Sequence, residues 1–332
     1  MVFKRLLMAF GVGGPSVDTV LTSPHTRPGA AIEGRVELSG GDSDVLIEEI
    51  ALCLAANVEA ESDGGEHEVG AEFARVPVAG AFRLAAGEHR AIPFSYPVPW
   101  DAPLTDAGGG LLPGSGLGLR TEVVIDRAAD KGDLDRVHVH PLPAQDRVLE
   151  AFARLGFGLK HTDIEIGHLA GTAQQSPFFQ EIEFHPAPHY AHEIGEVELS
   201  FVADPHGVDV VIEFDKRGGM FTEGQDLYGR FRVEHAHTDH VDWAAQVDAW
   251  ITEALERHRG LFGGYGRGHD EQPDHGYDGY HQAEERGGAL GGLGGVALGV
   301  AGGLAAGYVA AEVVDEIGDM FEGEEAEEEE EE

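Results

Sequence analysis

The sequence is poorest in the residues that would make it reactive or basic. Its 332 residues contain one cysteine, Cys53, so no internal disulfide can form. Cys53 sits in the apolar run "IALCLAANV", which reads as a buried strand carrying an inert thiol. Lysine occurs four times, and 22 basic residues face 61 acidic ones, for a formal net charge of −39. Such a surface repels nucleic acid, whose binding needs clustered Lys and Arg to displace counterions. It also disfavours direct docking on anionic lipid headgroups. A partner protein with a basic surface, or a divalent cation, suits it better. No phosphate loop and no cysteine-based zinc spacing is present. "GSGLG" at Gly114–Gly118 lacks the strand-to-helix setting of a nucleophile elbow. Carboxylate pairs are so frequent that spacing singles out none of them, and a solvated acidic surface explains them. With no converging catalytic set, the expectation is a protein that is not an enzyme and needs no cofactor.

What is present is mostly period-two alternation. Ile32, Val36 and Leu38 share one face of "AIEGRVEL", and Ile92, Phe94, Tyr96 and Val98 one face of "AIPFSYPV". The pattern returns with Leu119, Val123 and Ile125, then Ile182 and Phe184, then Val197, Leu199 and Phe201, then Val208, Val210, Ile212 and Phe214. Strands with one wet face imply antiparallel sheets, and short strands between Gly, Pro and Asp turns imply an all-β sandwich or barrel. Two stretches follow a helical period instead. "PAQDRVLEAFARLGFG" puts Val148, Leu149, Phe152 and Leu155 together ahead of a glycine stop at Gly156, and reads as an interdomain connector. "TDHVDWAAQVDAWITEALERH" puts Trp243, Val247, Trp250, Ala254 and Leu255 on one face, with Asp239 as N-cap. At the start, "MVFKRLLMAFGVGG" is too short in its apolar part for a signal peptide and reads as an amphipathic helix, which places the protein in the cytoplasm.

Several stretches together resemble one family. "VDTVLTSPHTRPGAAIEGRVELSGGDSDVLIEEIALCL" and "GEHRAIPFSYPVPWDAPLT" look like strands of arrestin-like domains. "PLPAQDRVLEAFARLGFGLKHTDIE", "PFFQEIEF" and "EVELSFVADPHGVDVVIEFDKRGG" look like sporulation-control proteins of the stage-zero sporulation protein M type. The resemblance runs collinearly from about Val2 to Leu255. It implies two tandem arrestin-like, immunoglobulin-like β-sandwiches and a cytosolic regulatory or scaffolding role without catalysis. The expected layout is an N-terminal helix over 1–13, a sandwich over 14–142 and a connecting helix over 143–158. A second sandwich with its terminal helix follows over 159–259, then a disordered linker over 260–286. Binding of other proteins is expected at sandwich edges and the interdomain groove.

Histidine offers the alternative reading. "HAHTDH" sets His235, His237 and His240 close together, and two histidines two apart on a strand with a third from the following turn make usable zinc geometry. A polar strand end in a His-rich chain is the competing explanation. "FHPAPHYAH" and "HVHP" are weaker candidates, the latter with His138 and His140 on one solvated strand face.

Residues 287–311 carry no charge, and Gly287, Gly291, Gly295, Gly299, Gly303 and Gly307 recur every fourth position. On a helix that spacing makes one glycine stripe, where a second backbone can approach closely in self-association, in or at a membrane. A flexible Gly/Ala spacer is the other reading. The tail over 312–332 holds 13 acidic residues and no basic one, so it stays in water and competes for a basic partner surface.

Overall fold

The computed structural model describes residues 13–62, 65–216, 227–239 and 241–263. The expected N-terminal helix, the glycine-stripe segment with its six glycines, the acidic tail and nearly all of the linker lie outside these residues.

The first half contains β1 (Ser16–Leu21), β2 (His25–Thr26), β3 (Ala31–Ser39), β4 (Val45–Ser62), β5 (Gly65–Ala79) and β6 (Phe82–Leu84). It continues with β7 (His89–Pro97), β8 (Asp106–Ala107), β9 (Gly110–Leu111), β10 (Gly118–Ile125), β11 (Lys131–Arg136) and β12 (His138–Val139). Helix α1 (Pro143–Leu155) opens the second half, followed by β13 (Gly158–Ile166), β14 (Phe178–His185), β15 (Ile194–Ala203), β16 (Gly207–Lys216), β17 (Leu227–Glu234) and helix α2 (Trp243–Gly263).

Alternation decides which way each strand faces. In β3, Ile32, Val36 and Leu38 are buried while Glu33 and Arg35 are exposed, and in β7 Phe94 and Tyr96 are buried between exposed neighbours. β1, β3 and β7 form one antiparallel sheet. The other layer of this half is built on β4, which pairs with β10, β5 and β6. Ile50, Leu52, Leu54, Leu119 and Val123 of that layer join Ile32, Val36 and Tyr96 in one core. Tyr96 is fully buried, and its hydroxyl donates to the Ala74 carbonyl at 2.7 Å, so the ring is buried without leaving a polar atom unmatched. Gly29 adopts φ +74°, and a Cβ there would lie 2.4 Å from the Trp100 ring, so this Pro-Gly turn admits no side chain.

The second half departs from the expected second sandwich. Among the described residues, β13, β14, β15, β16 and β17 lie in that order in one sheet, which continues through β4 into the first half. Helices α1 and α2 cover much of the apolar side, and Phe73 of β5 meets Phe178 of β14 at 4.7 Å. Phe152 of α1 packs on Phe157 and Phe184, both at 4.9 Å between ring centroids. Trp250 of α2 stacks on Phe231 of β17 at 4.8 Å. A period-two pattern reveals which side of a strand is dry but not whether that side meets strands or helices. The helix over 143–155 is therefore a core element as well as a link. Pro143 occupies its first turn, Gln145 Oε1 accepts the Leu142 N–H, and Gly156 closes it in the left-handed conformation, as the glycine stop predicted. α2 starts later than the sequence suggested. Asp242, not Asp239, accepts an N–H of its first turn, from Ala245, and the Trp243 indole N–H is held by the Thr238 carbonyl.

The halves are joined as one structure. β4 pairs in parallel with β13 at Glu59 and Glu165, and the main hydrophobic cluster runs through both halves. Gln180, buried in β14, accepts the Leu104 N–H and donates to the Leu104 carbonyl. Asp101 accepts the N–H groups of Gln175 and Ser176. Gln180→Ala strands two buried main-chain groups and is expected to cost about 2–4 kcal/mol in urea unfolding. A loss under about 0.5 kcal/mol would show that water replaces the amide without penalty.

Candidate functional site

The side of the second sheet turned away from α1 and α2 is not a neutral wet face. β14 presents Glu181 and Glu183, β15 presents Glu196 and Glu198, and β16 presents Glu213, each alternating with a buried apolar residue. β13 adds Asp163 and Glu165. The register sets Glu183 opposite Glu198, Glu198 opposite Glu213, and Asp163 opposite Glu181. Carboxylate oxygens of Glu181, Glu198 and Glu213 lie within 4.8 Å of one another.

The electrostatics follow from crowding. Burial, then the charges of Glu198, Glu213, Glu165 and Asp163, push the Glu181 carboxyl up to about 9, so it holds its proton at neutral pH. Burial likewise lifts Asp163 to about 6, against the pull of His161 and with the help of Glu59 and Glu183. Lys160, displaced by a bulge in β13, reaches Glu183 at 2.8 Å and also Glu196. Burial opposes ionisation of Glu183, yet the hydrogen bond and charge of Lys160 bring it below the usual carboxylate value. The face can therefore share protons, hold a hard oxygen-seeking cation such as Mg²⁺ or Ca²⁺, or receive Lys and Arg side chains from a partner. A second set, Cys53, Glu72 and Glu122, is less available. Arg120 pairs with Glu72 at 2.9 Å and Arg75 with Glu122 at 2.8 Å, so guanidinium groups already supply the positive charge. Burial, with Glu72 and Glu122 nearby, pushes the Cys53 thiol up, in keeping with an inert core residue.

The histidines marked by sequence are arranged differently from the expectation. His235 and His237 lie on a 3₁₀ turn rather than a strand, so they do not share a pleated face. His235 Nε2 bonds the Asp204 carbonyl at 2.9 Å and its ring stacks near Trp100, while exposed His237 pairs with Glu234. His240 lies outside the described residues. The sequence reading passed over the carboxylate row, although its signal is visible in "FQEIEF", "EVELS" and "VIEFD", where Glu alternates with buried residues on three successive strands.

The family described as SpoOM protein matches residues 3–218. The sporulation-control protein spo0M of Bacillus subtilis (strain 168) is 31% identical over 265 residues, which cover 77% of this chain and 98% of that protein. The chain belongs to the Spo0M family. The crystal structure of Spo0M from Bacillus subtilis is similar to this one with a TM-score of 0.63 at 28% identity, over 74% of this chain and 100% of that one. The family relationship drawn from the sequence thus holds. The family match over residues 3–218 takes in β13 through β16 and every carboxylate of the row. No helix among the described residues is long and apolar enough to cross a membrane.

Proposed function

We propose that this Spo0M-family protein is a non-catalytic regulatory scaffold that docks a basic partner protein on the carboxylate row of β13–β16. The observation that carries this reading is the direct opposition of Glu183, Glu198 and Glu213 across three paired strands. Like charges opposite one another weaken a sheet, and a local arrangement that works against folding points to use. The relative's name, a sporulation-control protein, supports regulation over catalysis. The cleft between α1 and the turn before α2 supports the same choice. It encloses about 200 Å³ and is lined by Arg147, Glu150, Arg154 and Asp239, small and mixed in charge for a substrate pocket.

The strand edges differ in what they offer an added segment. Val98 bonds to Ala30, so alternate residues of β7 face outward, and two of these are Pro93 and Pro97, which have no N–H. On β1, the outward Thr19 N–H is already taken by Asp133. β17 ends the order of its sheet, beside the carboxylate face, and is the edge best suited to main-chain pairing with a partner.

The test is capture of cell proteins by the tagged full chain and by an E181Q/E198Q/E213Q variant. Capture is expected to fall roughly tenfold in the variant and to weaken with added salt in the wild type. Equal capture by both, with circular dichroism unchanged, would contradict the proposal.

A further inference from the structure

His138 and His140, expected on a solvated strand face, meet His25 at the seam between β2 and β12. These short strands pair in parallel, with His138 in register with His25, and the His140 N–H donates to the Thr26 carbonyl. His138 in β12 and His140 directly after it, two apart along an extended segment, therefore share a face with His25 from the neighbouring strand. His25 Nδ1 lies 2.9 Å from His140 Nε2, and the His138 ring stacks on His25 at 4.7 Å between centroids. Asp106 Oδ2 accepts from His138 Nδ1 at 3.1 Å, and the Thr105 hydroxyl donates to the same oxygen.

We propose that His25, His138 and His140 form a binding site for a divalent transition-metal ion of the zinc, copper or nickel class, with Asp106 as its orienting residue. The chemistry of each ring supports this. A carboxylate on Nδ1 fixes His138 with its proton there and leaves Nε2 as a bare lone pair, the arrangement that metal-binding histidines share. His25 and His140 already bring one nitrogen each within 2.9 Å of the other. Two ligands of a tetrahedral ion at 2.0–2.1 Å stand about 3.3 Å apart, so the pair opens by about 0.4 Å to admit a metal. The hydrogen between them moves to the other nitrogen of the donating ring, and neutral imidazoles lose no proton overall. The His138 nitrogens do not yet lie within 4.8 Å of both partners, so its ring would have to leave the stack on His25 to bring Nε2 to the pair. A hydrogen-bonded pair would suffice to fasten the strands, whereas a third imidazole held by its own carboxylate serves coordination. The ion would cross-link residues 115 apart in sequence, next to the Arg27 contact with the Pro141 carbonyl that precedes α1.

The test is calorimetric titration of zinc chloride into the metal-stripped full chain. The wild type is expected to take up one equivalent at micromolar concentration that H25A and H140A lack. D106N should keep that equivalent with about 10–100-fold weaker affinity. H235A/H237A should keep it unchanged. Should H25A fail to give the wild-type circular dichroism spectrum, His25→Gln replaces it as a polar variant without the ligand nitrogen. No zinc uptake by the wild type, or the same number of equivalents in the His25 and His140 variants, would overturn the proposal, as would loss of the equivalent in H235A/H237A alone.

Discussion

Phe152→Ala is expected to lower the free energy of unfolding by about 3–5 kcal/mol, one of the largest effects of any single substitution in the chain. The side chain is fully buried and packs on Phe157 and Phe184, so truncation removes apolar contact from α1, the following segment and β14 at once. The size of the effect separates two roles for residues 143–155. A helix that only connects two self-sufficient sandwiches would tolerate the change, because each sandwich would keep its own core. A helix that supplies the layer opposite β13–β17 would not. Urea unfolding followed by tryptophan fluorescence measures the loss, and Trp250, stacked on Phe231 in the same layer, reports on it directly. A loss below about 1 kcal/mol would return α1 to the role of a tether.

Glu181 should make the folded protein less stable as pH rises. Its carboxyl is pushed from the ordinary 4.5 to about 9 in the folded state, first by burial and then by Glu198 and Glu213. Below about 4.5 both states hold the proton, and the favourable contribution is complete. Between about 4.5 and 9 the unfolded chain gives up the proton while the folded chain keeps it, so stability declines steadily and the contribution is gone above the folded value. The decline is on the order of 3–6 kcal/mol across that window. E181Q carries no titrating proton and imitates the neutral acid. It should match the wild type near pH 5 and exceed it by on the order of 3 kcal/mol near pH 9. Identical slopes for the two proteins between pH 5 and 9 would show that water reaches Glu181 and that the row is not crowded as described.

The sequence carried the strands well because each has one wet side. Ile32, Val36, Leu38, Phe94, Tyr96, Ile182, Phe184, Leu199 and Ile212 were placed inward by alternation, and all are buried. The helices were legible through Phe152, Val247 and Trp250 at helical spacing and through the stop at Gly156. What α1 and α2 pack against was not legible, since apolar periodicity is the same whether the opposite layer is sheet or helix. Strand order was the larger obstacle to finding the site. Glu181, Glu198 and Glu213 are 17 and 15 residues apart along the chain, and only pairing in the order β14, β15, β16 makes them neighbours. The same holds for His25, which joins His138 and His140 through a two-residue parallel pair that no local pattern announces. Conversely, His235 and His237 read as the end of a strand because "HAH" follows one closely enough to extend it on paper, whereas the chain turns there into a 3₁₀ step.

Carbodiimide coupling, which joins a carboxylate to a lysine amine within contact distance, examines the docking surface most directly. The full chain is treated together with its captured partner, and the linked peptides are mapped by mass spectrometry. Links are expected from partner lysines to Glu183, Glu196, Glu198 and Glu213. Links confined to carboxylates of the other sheet, such as Glu33 and Glu37 on β3, with none on β14–β16, would contradict it.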